Sequence, residues 1–175
     1  RKFWSSGASI ILLETRISFE LSKWELDNIL RGSKDIDLEA LENAAKEIAH
    51  FEDDVIYNGH KASDIQGLVN EAGIKKEISL DSQSILSSVS EVLIDFNNAF
   101  VKPPFNFVVD KALYNALNRV HGSKLLRTII EEMIGGSVIV SEEIEGGLIL
   151  PVKHEDIEFT LGQEYTIGYE SHTDE

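Results

Sequence analysis

The stretch LEALENAAKEIAHFEDDVIYN, residues 38–58, decides how this chain is read. Leu38, Leu41, Ala45, Ile48, Phe51 and Val55 recur at three- to four-residue intervals, the period of one helix face. Asp35 and Asp37 precede it and offer caps and favourable N-terminal charge. Gly59 stands where helices take a C-terminal glycine. Some twenty residues at 1.5 Å each make a rod of roughly 31 Å, long for a small domain. The segment is expected to be a spine crossing the whole body.

Upstream, Leu13, Thr15, Ile17, Phe19 and Leu21 alternate with Glu14, Arg16, Ser18 and Glu20. Period 2 over this length predicts a long, half-buried strand in an N-terminal β-arm. Residues 24–31 then form a short helix or turn that Gly32 ends. Downstream, a polar stretch over 60–80 contains Gly67 and Gly73. A helix follows over 82–100, with Ile85, Val89, Val92, Leu93 and Phe96 inward, and Pro103-Pro104 breaks the pattern. FNFVV over 105–109 reads as a buried strand. Asp110 caps a helix running to about Val120, and a second helix covers 124–134 before Gly135-Gly136. Strands are predicted over 137–140, 148–152, 157–161 and 165–169. No internal repeat or low-complexity tract is present. A composition shift near residue 70 suggests a domain boundary there.

Length and charge narrow the function classes. The 175 residues, 42% of them apolar, can bury a real core, and the formal net charge is −15. Such acidity argues against a nucleic-acid groove, because phosphate neutralisation needs clustered Lys and Arg. There is no Cys, which removes disulfides, Cys-ligated metals and thiol nucleophiles together and fits a reducing cytoplasm. The longest clear apolar run, residues 10–13, is far short of the ~20 residues that cross a bilayer, and Arg1-Lys2 precedes too little apolar chain for a signal peptide. The chain opens without Met and closes in a polar stretch, so a fragment of a longer protein is expected.

No catalytic constellation stands out. Glu47-x-x-His50, with Asp53 and Asp54 one turn on, has the spacing of di-iron carboxylate bundles. Such a site needs the motif twice, and here it occurs once, so a solvated helix face is the better account and no metal is expected. His50, His60, His121, His154 and His172 are scattered, and no His-Glu-x-x-His or Gly-x-Ser-x-Gly is present. A Ser-His-Asp site assembled in space has no local signal. Gly135-Gly136 and Gly146-Gly147 lack phosphate-loop spacing and read as a helix stop and a hairpin turn. Trp24 could stack a planar ring while Arg16 pairs an anionic tail, although anchoring a strand-to-helix corner is the plainer role. The residues alone describe an α+β protein in a structural or binding role.

RISFELSKWELDNILRG (16–32), FEDDVIYNG (51–59) and LGQEYTIGYE (161–170), in this order and spacing, resemble the encapsulin shell proteins, also called linocin-type bacteriocins. The resemblance runs over essentially the whole chain and covers about two thirds of a family member. It implies a fold like the tailed-phage major capsid protein: an extended β-arm over roughly 3–22 and a peripheral domain with a spine helix within 1–70, an axial α/β domain over 71–157, and a return to the peripheral domain over 158–175. It implies many copies of one subunit closing into an icosahedral, cytoplasmic nanocompartment around a cargo enzyme. That cargo, a peroxidase or ferritin-like protein, is held by a C-terminal targeting peptide. Haem or iron then belongs to the cargo, and the subunit needs no cofactor, with a flavin at Trp24 and Arg16 as a minor alternative. The loop between the two axial helices, Arg119, Val120, His121, Gly122, Ser123 and Lys124, would line a five-fold pore whose charge follows histidine protonation. A viral capsid protein of the same fold is the alternative reading, and a protease or bacteriocin activity finds no support in the residues. No nucleic-acid or membrane partner is expected.

Overall fold

The computed structural model describes residues 12–155 and 157–171. The basic start, the first part of the predicted arm and His172 lie outside the described residues.

A central strand organises the core. Strand β3 (Phe105–Val109) is almost continuously apolar, as a strand covered on both faces must be. It pairs in parallel with β6 (Val138–Val140), Phe107 opposite Val138, and antiparallel with β7 (Gly147–Pro151), Phe107 opposite Ile149. Helices α4 (Ser82–Asn98), α5 (Lys111–Leu117) and α6 (Leu126–Ile134) close over this sheet. Ile85 and Val89 from α4, Leu113 and Leu117 from α5, and Leu126, Ile130 and Ile134 from α6 are fully buried against Phe105, Phe107 and Val109. Burying each such side chain contributes about 1.5–3 kcal/mol.

Local signals set the boundaries of these elements. Asp81 Oδ1 accepts from the Ser84 amide at 2.9 Å and starts α4. Gly135 adopts φ 70° and ends α6, and a Cβ on Gly136 would lie 2.1 Å from the Phe105 carbonyl oxygen. Only glycine lets α6 turn straight into β6 beside β3.

The long helix α2 (Glu39–Asn58) forms as the periodicity predicts. Asp37 Oδ1 accepts from the Glu39 amide at 3.0 Å, and Gly59 closes the far end at φ 82°. The shorter α1 (Lys23–Leu30) has Ser22 as its cap and ends before Gly32. The predicted stripe on α2 is only partly covered: Leu41, Ile48 and Val55 are half-buried, Ala45 and Phe51 are exposed, and Ala44 is the one buried residue. The C-terminal part of α2 packs on a hairpin, β1 (Gly59–His60) with β2 (Ile65–Gln66), and on the short α3 (Leu68–Glu71). Two-residue strands carry no periodicity, so the polar stretch over 60–80 concealed them.

Three sequence expectations need correction. The helix expected to reach Val120 ends at Leu117, because Val120 and His121 (β4) pair with Lys124 and Leu125 (β5) around Gly122 at φ 65°. For the same reason α6 starts at Leu126 rather than 124. The segments 13–21, 157–161 and 165–169 form no strand among the described residues. The alternation is still visible, since Leu13, Ile17, Phe19 and Leu21 are half-buried and Glu14, Arg16, Ser18 and Glu20 are exposed. Alternation aims side chains, but a strand also needs a neighbour for its backbone.

Asp110 is the tightest joint of the core. Its Oδ1 accepts from the Leu113 amide at 2.7 Å and its Oδ2 from the Gly146 amide at 2.8 Å, tying α5 to the start of β7. Asp110→Ala loses the cap and orphans a part-buried N–H, a cost of about 2–4 kcal/mol. Asp110→Asn keeps one acceptor and should lose about half of that. Urea unfolding of the three proteins checks the order; equal midpoints would dismiss the joint.

Candidate functional site

The groups most available for chemistry gather around α2. The returning segment 157–171 lies along it, with the Tyr165 hydroxyl donating to Glu52 Oε2. The arm lies beside the returning segment: a Cβ on Gly162 would sit 2.7 Å from Leu12 Cδ1, and the Ser18 hydroxyl is 3.5 Å from Glu170 Oε2. The two extended segments therefore run side by side in the same sense. The apolar side chains of the returning segment face outward, with Ile167 72% and Tyr169 77% exposed, while those of the arm at 13, 17, 19 and 21 are half-buried. Helix α1 adds Trp24, Leu26, Ile29 and Leu30 and buries none of its residues.

On another side of α2, loop 141–146 of the α/β body makes contact. Glu143 Oε1 lies 2.9 Å from His50 Nδ1, and the Glu143 carbonyl accepts from Asn58 Nδ2 at 2.7 Å. The same Asn58 amide donates to Asp54 Oδ1 at 2.8 Å. The Asp53 carboxyl is raised above its ordinary range, first by partial burial, then by the charges of Glu143 and Glu52, with His50 pulling the other way. Burial and the Asp53 charge raise Tyr57. Burial first, then the bond to Glu52 and the charges of Glu52 and Asp53, push Tyr165 up to about 12. Asp53 and Asp54 were visible in the sequence as neighbours of Glu47-x-x-His50. Glu143, Glu52 and Tyr165 carried no local signal, because their contacts span 93 and 113 residues.

The residues singled out by sequence fall as follows. His50 pairs with Glu143, and among the described residues no group of three or more His, Asp or Glu is arranged to hold a metal ion. His60 Nδ1 lies 2.9 Å from Ser63 Oγ, but Phe51 lies edge-on to the ring and no carboxylate completes a triad among the described residues. Trp24 and Arg16 do not come together: Glu14 holds the Arg16 guanidinium at 2.6 Å, and Arg31 takes its place, 5.7 Å from the centre of the Trp24 ring. Residues 119–124 form a tight hairpin tip with Val120 72% exposed and His121 half-buried. Lys124 there pairs with Glu132 at 2.5 Å, and Arg119 donates to the Leu80 carbonyl at 3.1 Å. An open, acid-lined groove of about 360 Å³ beside the start of α2 has Glu25 and Asp37 committed to backbone amides. Among the described residues no helix is long and apolar enough to cross a membrane.

Comparison with known proteins follows this geometry. A family described as "Encapsulating protein for peroxidase" matches residues 4–175. The type 1 encapsulin shell protein of Rhodococcus erythropolis is 31% identical over 165 residues, covering 92% of this chain and 62% of that protein. The type 1 encapsulin shell protein of Mycobacterium tuberculosis is 31% identical over 169 residues, covering 94% of this chain and 63% of that protein. The chain thus spans less than two thirds of the length of these curated relatives. The solved virus-like particle from Pyrococcus furiosus matches with a TM-score of 0.50 at 20% identity, over 68% of this chain and 48% of that one, a likeness of capsid-like fold.

Asp53 supplies a pH test. A carboxyl raised on folding lends stability at low pH and loses it as pH rises through its folded value. Charged Asp53 is therefore a cost at neutral pH, and Asp53→Asn should raise the unfolding temperature there. The gain should vanish as pH falls into the ordinary carboxylate range. A lower unfolding temperature at neutral pH would show instead that the Asp53 charge is needed.

Proposed function

The chain belongs to the family of encapsulating proteins for peroxidase, and on that premise we propose that the protein is a shell subunit. Many copies close into an icosahedral, cytoplasmic compartment around a cargo enzyme, a peroxidase or a ferritin-like protein held by a C-terminal targeting peptide. The subunit is then no enzyme, and haem or iron chemistry belongs to the cargo. One observation carries the reading. The α/β core is buried within one chain, while α1 and the returning segment leave their apolar side chains uncovered. Exposed apolar surface of this extent marks sites of protein association. Extended segments without strand partners are completed by a strand from a neighbouring copy.

The charge balance supports protein cargo over nucleic acid. At −15 per chain the subunit repels a polyanion, which separates this reading from a viral capsid protein of the same fold. Electron microscopy of the intact protein should show uniform hollow particles, and mass analysis should find protein inside. A monodisperse monomer at high concentration would overturn the shell reading, and genomic nucleic acid inside would turn it into the viral one.

We place the 119–124 hairpin at an opening in the shell. Copies of Arg119, His121 and Lys124 then ring the passage, and salt screens their field over about 8 Å at physiological ionic strength. Glu132 already neutralises Lys124 in the subunit, so Glu132→Gln should speed entry of small anions and Lys124→Glu should slow it. Entry of matched anionic and cationic probes to an encapsulated reporter measures this. Identical rates in all variants would show that the hairpin does not control access.

A further inference from the structure

Asn58 and Gly59 close the long helix α2, and Asn58 is the one asparagine of the chain that a glycine follows. Such a dipeptide is labile in an open chain. Gly59 has no Cβ to hinder its nitrogen, so the nitrogen can reach the side-chain carbonyl carbon of Asn58. The fold denies it this approach. The Gly59 amide donates to the Val55 carbonyl in the last turn of α2. From α3, Asn70 Nδ2 donates to the Asn58 carbonyl at 2.8 Å. Gly67 packs so closely here that a Cβ on it would overlap the Asn58 carbonyl carbon and the Gly59 nitrogen. The Asn58 side chain is held as well: its Nδ2 donates to Asp54 Oδ1 at 2.8 Å and to the Glu143 carbonyl at 2.7 Å. Asn58 is nonetheless exposed, so water has access to it.

We propose that Asn58-Gly59 is a deamidation site that the fold holds closed, and that its conversion loosens loop 141–146 from α2. Helix ends open locally at far lower cost than a core does. When the last turn of α2 opens, the Gly59 nitrogen gives its proton to water and bonds to Asn58 Cγ. The Cγ–Nδ2 bond breaks, and Nδ2 takes a proton from water and leaves as ammonia. The product is a five-membered succinimide. Water then adds to one of the two ring carbonyls and reopens the ring, giving aspartate or isoaspartate at position 58. Nothing is oxidised or reduced, and water is the co-reactant throughout. The new acid cannot remake the native contacts. A carboxylate has no proton to give where Nδ2 stood, so it meets Asp54 Oδ1 and the Glu143 carbonyl as a further acceptor. A negative charge at the C-terminal end of α2 also opposes the helix dipole and repels Asp54 one turn back. Loop 141–146 stays fastened to the α/β body, where the Ser141 amide donates to the Val109 carbonyl at 3.0 Å and the Gly146 amide to Asp110 Oδ2 at 2.8 Å. Its hold on α2 is what weakens.

The test is peptide mass analysis of the intact protein aged at one pH, folded and in urea. Aspartate and isoaspartate at position 58 are measured against the other asparagines. Isoaspartate marks the ring, because direct hydrolysis of the amide gives aspartate alone. In urea, position 58 should convert many-fold faster than the other asparagines and many-fold faster than in folded wild type. Asn70→Ala frees the Asn58 carbonyl and should raise the folded rate several-fold, with both proteins held well below their urea midpoints. Equal rates folded and in urea, conversion without isoaspartate, or an Asn70→Ala rate equal to wild type would overturn the closed site. Hydrogen exchange of peptides covering 141–146, at the same pH, reads the consequence. Asn58→Asp should exchange there several-fold faster than wild type and faster than Asn58→Ala. Exchange in Asn58→Asp no faster than in Asn58→Ala would overturn the loosening.

Discussion

A β-strand is stable only when its backbone donors and acceptors find a neighbour, and the chain meets that requirement unevenly. Strand β3 has a partner on each side and three helices above it, and every large side chain of that core is buried. Segments 12–21 and 157–171 have strand-like sequences and no strand structure. They lie side by side, lean on α2 through Tyr165 and Glu52, and turn Phe159, Leu161, Ile167 and Tyr169 outward. The described residues thus have one folded centre and one margin that keeps apolar side chains exposed. The centre is satisfied by local packing, whereas the margin lacks backbone pairing and apolar cover among the described residues.

Helix α2 stands between these two regimes. Its C-terminal part carries the β1–β2 hairpin and α3, and its flank meets loop 141–146 of the core. Its own apolar stripe is only half covered, so tertiary packing in one chain does not account for its length. Helix propensity alone leaves a helix of this length marginal in water. Capping by Asp37 and Gly59 adds a few contacts at the ends. The remaining apolar face stays uncovered among the described residues. Polar contacts to Glu143 and Tyr165, rather than a deep apolar seam, hold the rod to its surroundings.

What was legible in the sequence follows the range of the forces involved. FNFVV over 105–109, the Asp110 cap, the α2 periodicity and the glycine stop at 135–136 are local signals, and each placed its element within a few residues. The helix predicted to reach Val120 overran because Val120 and His121 answer to Lys124 and Leu125, a pairing that helix periodicity does not register. The alternation over 13–21 matches the half-burial of Leu13, Ile17, Phe19 and Leu21 but not the exposed Thr15, and over 165–169 every residue is exposed; the missing backbone partner withheld both strands. The candidate site was least legible. Glu47-x-x-His50 pointed to His50, but its partner Glu143 arrives from across the chain, and Arg31 rather than Arg16 approaches Trp24.

The hairpin over 119–124 shows how counting charges differs from placing them. Two cations and a histidine in six residues suggest a concentrated positive field against a body of −15. The geometry distributes that charge differently. Lys124 is paired with Glu132, and the Arg119 guanidinium is turned back onto the Leu80 carbonyl. The Lys124 pair is exposed on both sides, so it is worth at most about 1 kcal/mol and yields readily to a competing anion. Arg119 keeps its full charge, since a carbonyl offers only a dipole, but the charge is drawn toward the start of α4 instead of the tip. Val120 is 72% exposed at the tip, and the two cations of the hairpin are engaged elsewhere, on Glu132 and on the Leu80 carbonyl.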